Sequence, residues 1–297
     1  PLEAATLRES ILGIAQHKTL RVVRADGEDY APEELSNGLV VGVLSGKGGL
    51  GKTTLAVNMA SVVAEAPNKT AGVLALESGD GAVLLNLQPK LGLLDLAGGN
   101  EERREEGGYQ TDWLKQFATR HKTGLNYWQW QGSGTNPPDA IPEDFLQALF
   151  QTCRRSQSVT FVDFGSLTAD EASMVFPILD VILIVTSSSD LLALRATKTL
   201  VDLIPEEFEP RVRIIVNRSD PSDMINRGDF ESALERKIAA LLPNQPQVAS
   251  QAINMGSPFV LTQPNSELSL TVKQLTQVLF RLPTGQSAKG KKRFLLF

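Results

Sequence analysis

Apolar runs alternate with segments of helical periodicity along most of this chain. The apolar runs predict strands at residues 39–44, 72–76, 125–130, 159–163, 181–185 and 212–217. Apolar positions three or four residues apart predict helices after residue 52 and at residues 111–121, 142–156, 191–204 and 230–242. Because the strands are continuously apolar, both faces of their sheet must be covered. The pattern therefore predicts an α/β fold with a doubly wound, mostly parallel sheet and helices on both faces.

A glycine-rich segment lies between the first strand and the helix that follows it. Residues 46–53 fit the pattern G-x-x-x-x-G-K-[ST], in which consecutive backbone N–H groups surround a phosphate at a helix N-terminus. In this P-loop pattern Lys52 reaches the β- and γ-phosphates of a nucleotide, and the Thr53 hydroxyl holds Mg²⁺. The predicted nucleotide-binding residues of the loop are Gly46, Lys47, Gly48, Gly49, Leu50, Gly51, Lys52, Thr53 and Thr54.

Two more polar residues end apolar strands. Asp163 closes residues 159–163 in the manner of a Walker B strand, which predicts a second Mg²⁺ ligand; the alternative is an aspartate that only ends a strand. Asn217 closes residues 212–217, and its side-chain amide offers adenine both a donor and an acceptor. A turn-forming asparagine fits the spacing of Asn217 equally well.

The composition fits one large intracellular α/β domain. The chain has 297 residues, of which 42% are hydrophobic, enough for a sizeable core. A net charge of −5 gives no general attraction to nucleic acid, so nucleic acid is not an expected partner. The single Cys153, expected in the core, excludes a disulfide framework and indicates a reducing compartment. No apolar run reaches the about 18 residues that a transmembrane helix needs.

The chain divides into three expected parts. Residues 1–37 have a helical pattern, a short strand at residues 20–23 and no complete domain pattern, as expected of the end of an upstream domain. Residues 38–283 form the nucleotide-binding domain, in which the charged residues 100–108 are predicted to be an exposed loop. Residues 284–297 are basic and then apolar, which fits either a weak membrane-surface anchor or a frayed end.

Lys47, directly after the first glycine, makes the loop resemble the deviant Walker motif of the MinD/ParA superfamily. In that superfamily the extra lysine crosses a dimer interface to the phosphates of ATP in the partner subunit. The resemblance implies ATP and Mg²⁺ as cofactors, a homodimer in ATP and catalytic roles for Lys47, Lys52 and Asp163. Without the resemblance, Lys47 would be interpreted as a solvated loop lysine.

Softer similarity over residues 77–96, 181–198, 214–218 and 242–258 resembles the TadZ/CpaE family of pilus-assembly ATPases. It implies a nucleotide-dependent dimer that positions the machinery of a type IV or Flp-like pilus, in the cytoplasm or at the inner face of the membrane. It also implies that Asn217 contacts adenine and that Pro243 lies near the base.

One departure from these relatives concerns hydrolysis. They carry Asp-x-Asp after the second strand, and the second Asp orients the attacking water. Here Glu77 matches the first position, and the second is filled by Gly79 or, with a gap, by Asp80. Asp80 is therefore the fourth candidate catalytic residue, and turnover is expected to be slow.

The expected function is a slowly hydrolysing ATPase that dimerises on ATP and organises pilus assembly. A non-hydrolysing scaffold that uses ATP only as a structural ligand, and a DNA-partitioning ATPase, are the alternatives. A nitrogenase-reductase-like electron carrier is excluded, because its bridging cluster needs two cysteines in each chain and this chain has one.

Overall fold

The computed structural model describes residues 22–23, 29–30, 38–76, 80–97, 104–105, 108–130, 142–165, 167, 169–220, 222 and 225–282. Its helices are α1 (Lys52–Ala64), α2 (Asp80–Leu84), α3 (Leu93–Ala97), α4 (Thr111–Gln116), α5 (Glu143–Ser156), α6 (Ala169–Val175), α7 (Leu191–Asp202), α8 (Arg227–Leu234), α9 (Pro246–Met255), α10 (Phe259–Thr262) and α11 (Glu267–Leu279). Short 3₁₀ helices cover Phe176–Ile178 and Glu206–Arg211. Its strands are β1 (Val22–Val23), β2 (Asp29–Tyr30), β3 (Leu39–Leu44), β4 (Ala71–Ala75), β5 (Arg104–Glu105), β6 (Gly108–Tyr109), β7 (Thr119–Arg120), β8 (Asn126–Gln129), β9 (Val159–Asp163), β10 (Val181–Ser187), β11 (Val212–Ser219) and β12 (Ile238–Pro243).

Eight of these strands form one sheet in the order β12-β11-β10-β3-β9-β4-β8-β7. Neighbouring strands are parallel except β7, which runs antiparallel to β8 at one edge. β3 lies inside the sheet, with β9 and β4 on one side and β10 to β12 on the other. The strand order therefore reverses at β3, and the carboxyl end of a strand at such a switch point is where α/β sheets bind ligands.

Both faces of the sheet are covered by helices, which confirms the predicted fold class. Val41 and Val43 of β3 belong to a core that includes residues of α1 and α11. Val40 and Leu44, which point to the opposite face, belong to a second core that includes residues of α5 and α7. Successive side chains of a strand alternate between faces, so a strand buried on both sides must be apolar throughout.

The predicted helix at residues 230–242 is wrong in its second half. Helix α8 ends where Glu235 adopts a left-handed conformation, with φ 54°. Ile238–Pro243 then forms β12, the parallel edge strand beside β11. The apolar residues on both sides of Glu235 happen to keep helical spacing. Pairing with β11 satisfies the backbone of this buried run instead, which local spacing does not reveal.

Two other predicted segments need correction. The helix predicted at residues 111–121 ends at Gln116, because Thr119–Arg120 pairs with the outer edge of β8. The loop predicted at residues 100–108 contains strand β5 and the first residue of β6, Gly108, which is buried. A Cβ on Gly108 would lie 2.6 Å from the Ala148 carbonyl oxygen, so α5 packs directly on β6.

Several predictions fall on residues outside the described part of the chain. In the N-terminal region only Val22–Val23 and Asp29–Tyr30 are described, and they pair antiparallel. The tail at residues 284–297 lies outside it entirely.

Cys153 is fully buried, which confirms its interpretation as a core residue. Within the described residues, no helix combines the length and the apolar character needed to cross a membrane.

Candidate functional site

The turn between β3 and α1 has the backbone geometry of an anion-binding loop. Gly49 and Gly51 have left-handed φ angles of 78° and 94°, which residues with a Cβ rarely adopt. Gly51 is also the N-cap of α1, so no side chain caps this helix. The N–H groups of the first turn have no acceptor within the helix and point towards its N-terminal end, where an anion can bind them.

Lys52 is the first residue of α1, and the residue as a whole is only 7% exposed. Burying an ammonium group is costly unless an anion or a hydrogen-bond acceptor compensates it. The ammonium and the first-turn N–H groups together concentrate positive charge at this end of the helix. Phosphate is therefore the ligand that the loop is best suited to hold.

Thr53 and Asp163 meet next to the loop, although they belong to different elements. The Thr53 hydroxyl donates a hydrogen bond to Asp163 Oδ2, at 2.5 Å. Asp163 ends β9, the strand adjacent to β3, and is buried. Hydroxyl and carboxylate oxygens are ligands that Mg²⁺ accepts, so this pair fits a magnesium site beside bound phosphate.

A cavity of about 400 Å³ opens beside the loop, between the ends of β11 and β12 and helices α1 and α9. Gly51, Asn217 and Pro243 are among its lining residues. Asn217 Nδ2 donates to the Leu50 carbonyl at 2.8 Å, and its Oδ1 accepts from the Arg218 amide at 2.9 Å. A side-chain amide has two donor hydrogens and two acceptor positions, so one of each remains for a ligand.

Lys47 contacts a residue that the sequence did not single out. Its ammonium lies 2.5 Å from Asp190 Oδ2, and the lysine side chain is 43% exposed. Asp190 caps helix α7 by accepting a hydrogen bond from the Leu192 amide at 2.9 Å. The hydrogen bond from Lys47 is the main cause that lowers the pKa of Asp190.

Asp80 is the first residue of α2, and its side chain is exposed. Glu77 and Gly79 lie outside the described residues. Tyr127, which is fully buried, packs against Gly81 of α2. Burial raises the pKa of Tyr127, and the charges of Asp163 and, more weakly, Asp80 raise it further. Both carboxylates therefore act electrostatically on the same hydroxyl group.

Apart from Asp80, the predicted site residues thus form three groups at the carboxyl ends of the parallel strands. Lys52, Thr53 and Asp163 surround the start of α1, Asn217 and Pro243 line the adjacent cavity, and Lys47 extends to Asp190. Sequence reasoning missed Asp190, Arg218 and Tyr127. An aspartate between a strand and an apolar helix is an N-cap signal, and it would have drawn attention to Asp190. Tyr127, in the middle of a strand, offers no such signal.

Comparison with solved structures shows the same fold. A ParA family ATPase from Chlorobium tepidum matches with a TM-score of 0.68 and 23% identity over 82% of this chain and 98% of that chain. MinD in the MinC:MinD cell division complex of Aquifex aeolicus matches with a TM-score of 0.64 and 20% identity over 83% and 97%. MinD of Pyrococcus horikoshii, solved with Mg-ADP, matches with a TM-score of 0.62 and 18% identity over 82% and 96%. No protein-family model and no curated protein sequence matches the chain.

Proposed function

We propose that this protein is an ATP-binding, slowly hydrolysing ATPase of the MinD/ParA type. The observation that carries the proposal is the glycine loop between β3 and α1, with the buried Lys52 and the hydrogen bond from Thr53 to Asp163 at its helical end. The fold likeness to a ParA family ATPase and to a MinD solved with Mg-ADP supports the same function.

In this proposal the loop amides and Lys52 bind the phosphates, and Thr53 and Asp163 hold Mg²⁺. The 2.5 Å distance between the Thr53 and Asp163 oxygens supports this assignment, because two ligands of one ion must lie side by side. When bound, Mg²⁺ neutralises charge that develops on the γ-phosphate. The protein contributes position: the loop fixes the phosphates while Lys52 stabilises their charge.

Adenine is the base that we assign to the adjacent cavity. The remaining donor and acceptor of the Asn217 amide match the acceptor and donor on one edge of adenine. Pro243 contributes apolar surface on the other strand that borders the cavity. A volume of about 400 Å³ is within the usual range for a small-molecule site.

Hydrolysis depends on Asp80 in this proposal, with Lys47, Lys52 and Asp163 as the other catalytic residues. The side chain of Asp80 is exposed to solvent at the start of α2, so its carboxylate is loosely constrained and slow turnover is expected. The same observation favours the second candidate, a scaffold that binds ATP without hydrolysing it. Steady-state phosphate release distinguishes the two.

The cellular role that we propose is spatial organisation of a type IV or Flp-like pilus by an ATP-dependent homodimer. The proposed dimerisation rests on Lys47, an exposed residue of the loop. The proposed pilus role rests on the resemblance of residues 77–96, 181–198, 214–218 and 242–258 to the TadZ/CpaE family. MinD was solved in complex with MinC, which supports a protein partner for this fold. The ATPase domain would span residues 38–283, preceded by the linker at residues 1–37, and the tail at residues 284–297 would supply weak membrane contact.

The decisive test of nucleotide binding is calorimetry of ATP and Mg²⁺ with the variant Lys52→Ala. Losing a charge-assisted contact to phosphate should weaken binding by about 100-fold or more. Lys69→Ala removes an exposed lysine just before the amino end of β4. This control variant should bind ATP with the affinity of the unmodified protein. Unchanged affinity in folded Lys52→Ala would contradict the assignment.

Co-purification with pilus components from the native host, in ATP but not in ADP, tests the proposed cellular role.

A further inference from the structure

Strand β11 contains an extra residue where it reaches the phosphate-binding loop. Val216 pairs with Leu241 and Ser219 pairs with Pro243, so Asn217 and Arg218 together oppose one residue of β12. Arg218 has a left-handed φ of 55°, which is unfavourable for a residue with a Cβ because that atom approaches the following carbonyl. Such a β-bulge redirects side chains, and bulges are common beside active sites.

The bulge directs two consecutive side chains onto the same loop. Asn217 Nδ2 donates to the Leu50 carbonyl at 2.8 Å. Arg218 Nη2 donates to the Gly49 carbonyl at 3.0 Å. In a regular strand these neighbours would point to opposite faces of the sheet. Two adjacent carbonyl groups of the loop are therefore held by two adjacent residues of β11.

Holding these carbonyl groups also fixes the direction of two amides. A peptide group is planar and trans, so its N–H points opposite to its C=O. The Gly49 carbonyl shares a peptide with the Leu50 amide, and the Leu50 carbonyl shares one with the Gly51 amide. While β11 holds the oxygens, these two N–H groups point away from it and stay available to an anion.

We propose that Arg218, together with Asn217, is a positioning residue that keeps the amides of Leu50 and Gly51 directed at the phosphates of the nucleotide. The inference rests on the proposed nucleotide site and adds a residue to it. Asn217 and Arg218 also line the cavity assigned to the base. The base and phosphate parts of the site therefore share one support.

The test compares Arg218→Ala with the unmodified protein, using inorganic pyrophosphate with Mg²⁺, adenosine and ATP as separate calorimetric ligands. Loss of the contact to Gly49 should lower the affinities for pyrophosphate and for ATP by about tenfold each and leave the affinity for adenosine unchanged. Arg218→Lys, which keeps a donor and the charge, should recover part of the loss. The unfolding midpoint without ligand establishes that each variant is folded.

A matched control is Arg211→Ala, at the residue directly before the amino end of β11. Arg211 donates to the Pro177 and Leu179 carbonyls, so its loss removes the same charge and two backbone contacts far from the loop. It should leave pyrophosphate binding unchanged.

Four results would overturn the inference. In Arg218→Ala, weaker adenosine and ATP binding with normal pyrophosphate binding would assign Arg218 to the base. Unchanged binding of all three ligands would remove its role. A pyrophosphate defect that disappears at high salt would indicate a long-range charge effect instead of a positioned contact. An unmodified protein that binds neither ATP nor pyrophosphate would disprove the nucleotide site itself, and this inference with it.

Discussion

Asp80 is the residue on which turnover depends in the proposed mechanism. Its carboxylate and that of Asp163 both raise the pKa of the Tyr127 hydroxyl, after the larger effect of burial. Charges act over limited distances in protein, so both carboxylates lie close enough to the Tyr127 hydroxyl to affect its pKa. Asp163 is held by Thr53, whereas Asp80 is exposed at the start of α2. This difference suits Asp163 to a fixed metal and Asp80 to a water molecule.

For Asp80→Ala we expect unchanged ATP affinity and about 100-fold slower phosphate release, the usual effect of removing a positioned catalytic group. Binding should persist because the loop, Lys52 and Asp163 are intact. Steady-state phosphate release and calorimetry measure the two quantities separately. Asp112→Ala, at an aspartate whose side chain is 87% exposed on α4, is the control. If Asp80→Ala releases phosphate at the normal rate, Asp80 has no catalytic role; a scaffold would release no phosphate even as the unmodified protein.

At the scale of single residues, the sequence predicts what a contiguous motif encodes and misses what the fold brings together. Gly51, Lys52 and Thr53 are recognisable because the strand, loop and helix that position them are adjacent in the chain. The partner of Lys47 lies 143 positions away, at Asp190. The carbonyl that Arg218 holds is 169 positions away. No local pattern encodes such contacts, because strand order decides them.

At the scale of elements, Gly81 allows helix α2 to pack closely against the ring of Tyr127. A Cβ on Gly81 would lie 2.8 Å from Cε2 of Tyr127 and 3.0 Å from its hydroxyl oxygen. Tyr127 is fully buried, so its ring cannot move aside without repacking the core. The helix that carries Asp80 therefore depends on Gly81 for its close approach to the sheet.

We expect Gly81→Ala to displace α2, to lower the free energy of unfolding by about 1–3 kcal/mol and to slow phosphate release together with it. Urea denaturation and phosphate release measure the two effects. Gly228→Ala in α8 is the control, because its Cβ would meet only the Asn226 side chain, at 3.3 Å, and alanine favours a helix. Normal stability and turnover in Gly81→Ala would show that α2 tolerates the displacement.

Helix α5 carries the buried Cys153, whose pKa burial raises to about 12. The pKa of a cysteine thiol in an unfolded chain is about 8.5. Because the pKa is higher in the folded state, the neutral thiol makes its full contribution to stability at pH values below the pKa of the unfolded chain. This contribution is lost as pH rises from about 8.5 towards the folded value, since only the unfolded chain releases the proton.

Between about pH 8.5 and 10, ionisation of the Cys153 thiol in the unfolded chain should lower the free energy of unfolding by about 1.4 kcal/mol per pH unit. Cys153→Ala should be less stable at neutral pH because it leaves a cavity, yet its stability should fall less steeply with pH. Urea unfolding across this range measures both slopes. Equal slopes in the two proteins would mean that the thiol ionises as readily in the core as in the unfolded chain.

The sequence predicts the interior strands of the sheet well and its edges poorly. Interior strands such as β9 and β10 are buried on both faces, so a continuous apolar run marks them. The edge strands are ambiguous: β12 follows α8 without a break in helical spacing, and β7 has only two residues. Which segment completes an edge is decided by the neighbouring backbone, not by the segment's own pattern.

At the scale of the whole molecule, the surface around the loop is the one that the proposed dimer would bury. Lys47 and Asp190 lie there, next to the residues Leu191 and Leu192, which are 69% and 64% exposed. An ion pair on the solvent-exposed surface contributes little to stability. Lys47 can therefore leave Asp190 at little cost when a stronger anion, such as the phosphates of ATP in a second copy, becomes available.

We expect Lys47→Ala to bind ATP but to remain monomeric in ATP and Mg²⁺, since within its own subunit Lys47 contacts Asp190 whereas Lys52 lies beside the first-turn N–H groups. Light scattering measures the mass, and calorimetry establishes that ATP is bound. Lys115→Ala is the matched control, because Lys115 is also an exposed lysine paired with an aspartate, Asp112, but on α4; it should dimerise normally. Because the lysine would act across the interface, its loss should affect assembly far more than nucleotide affinity. A Lys47→Ala protein that dimerises as the control does would leave the exposed loop lysine with no role beyond its contact to Asp190.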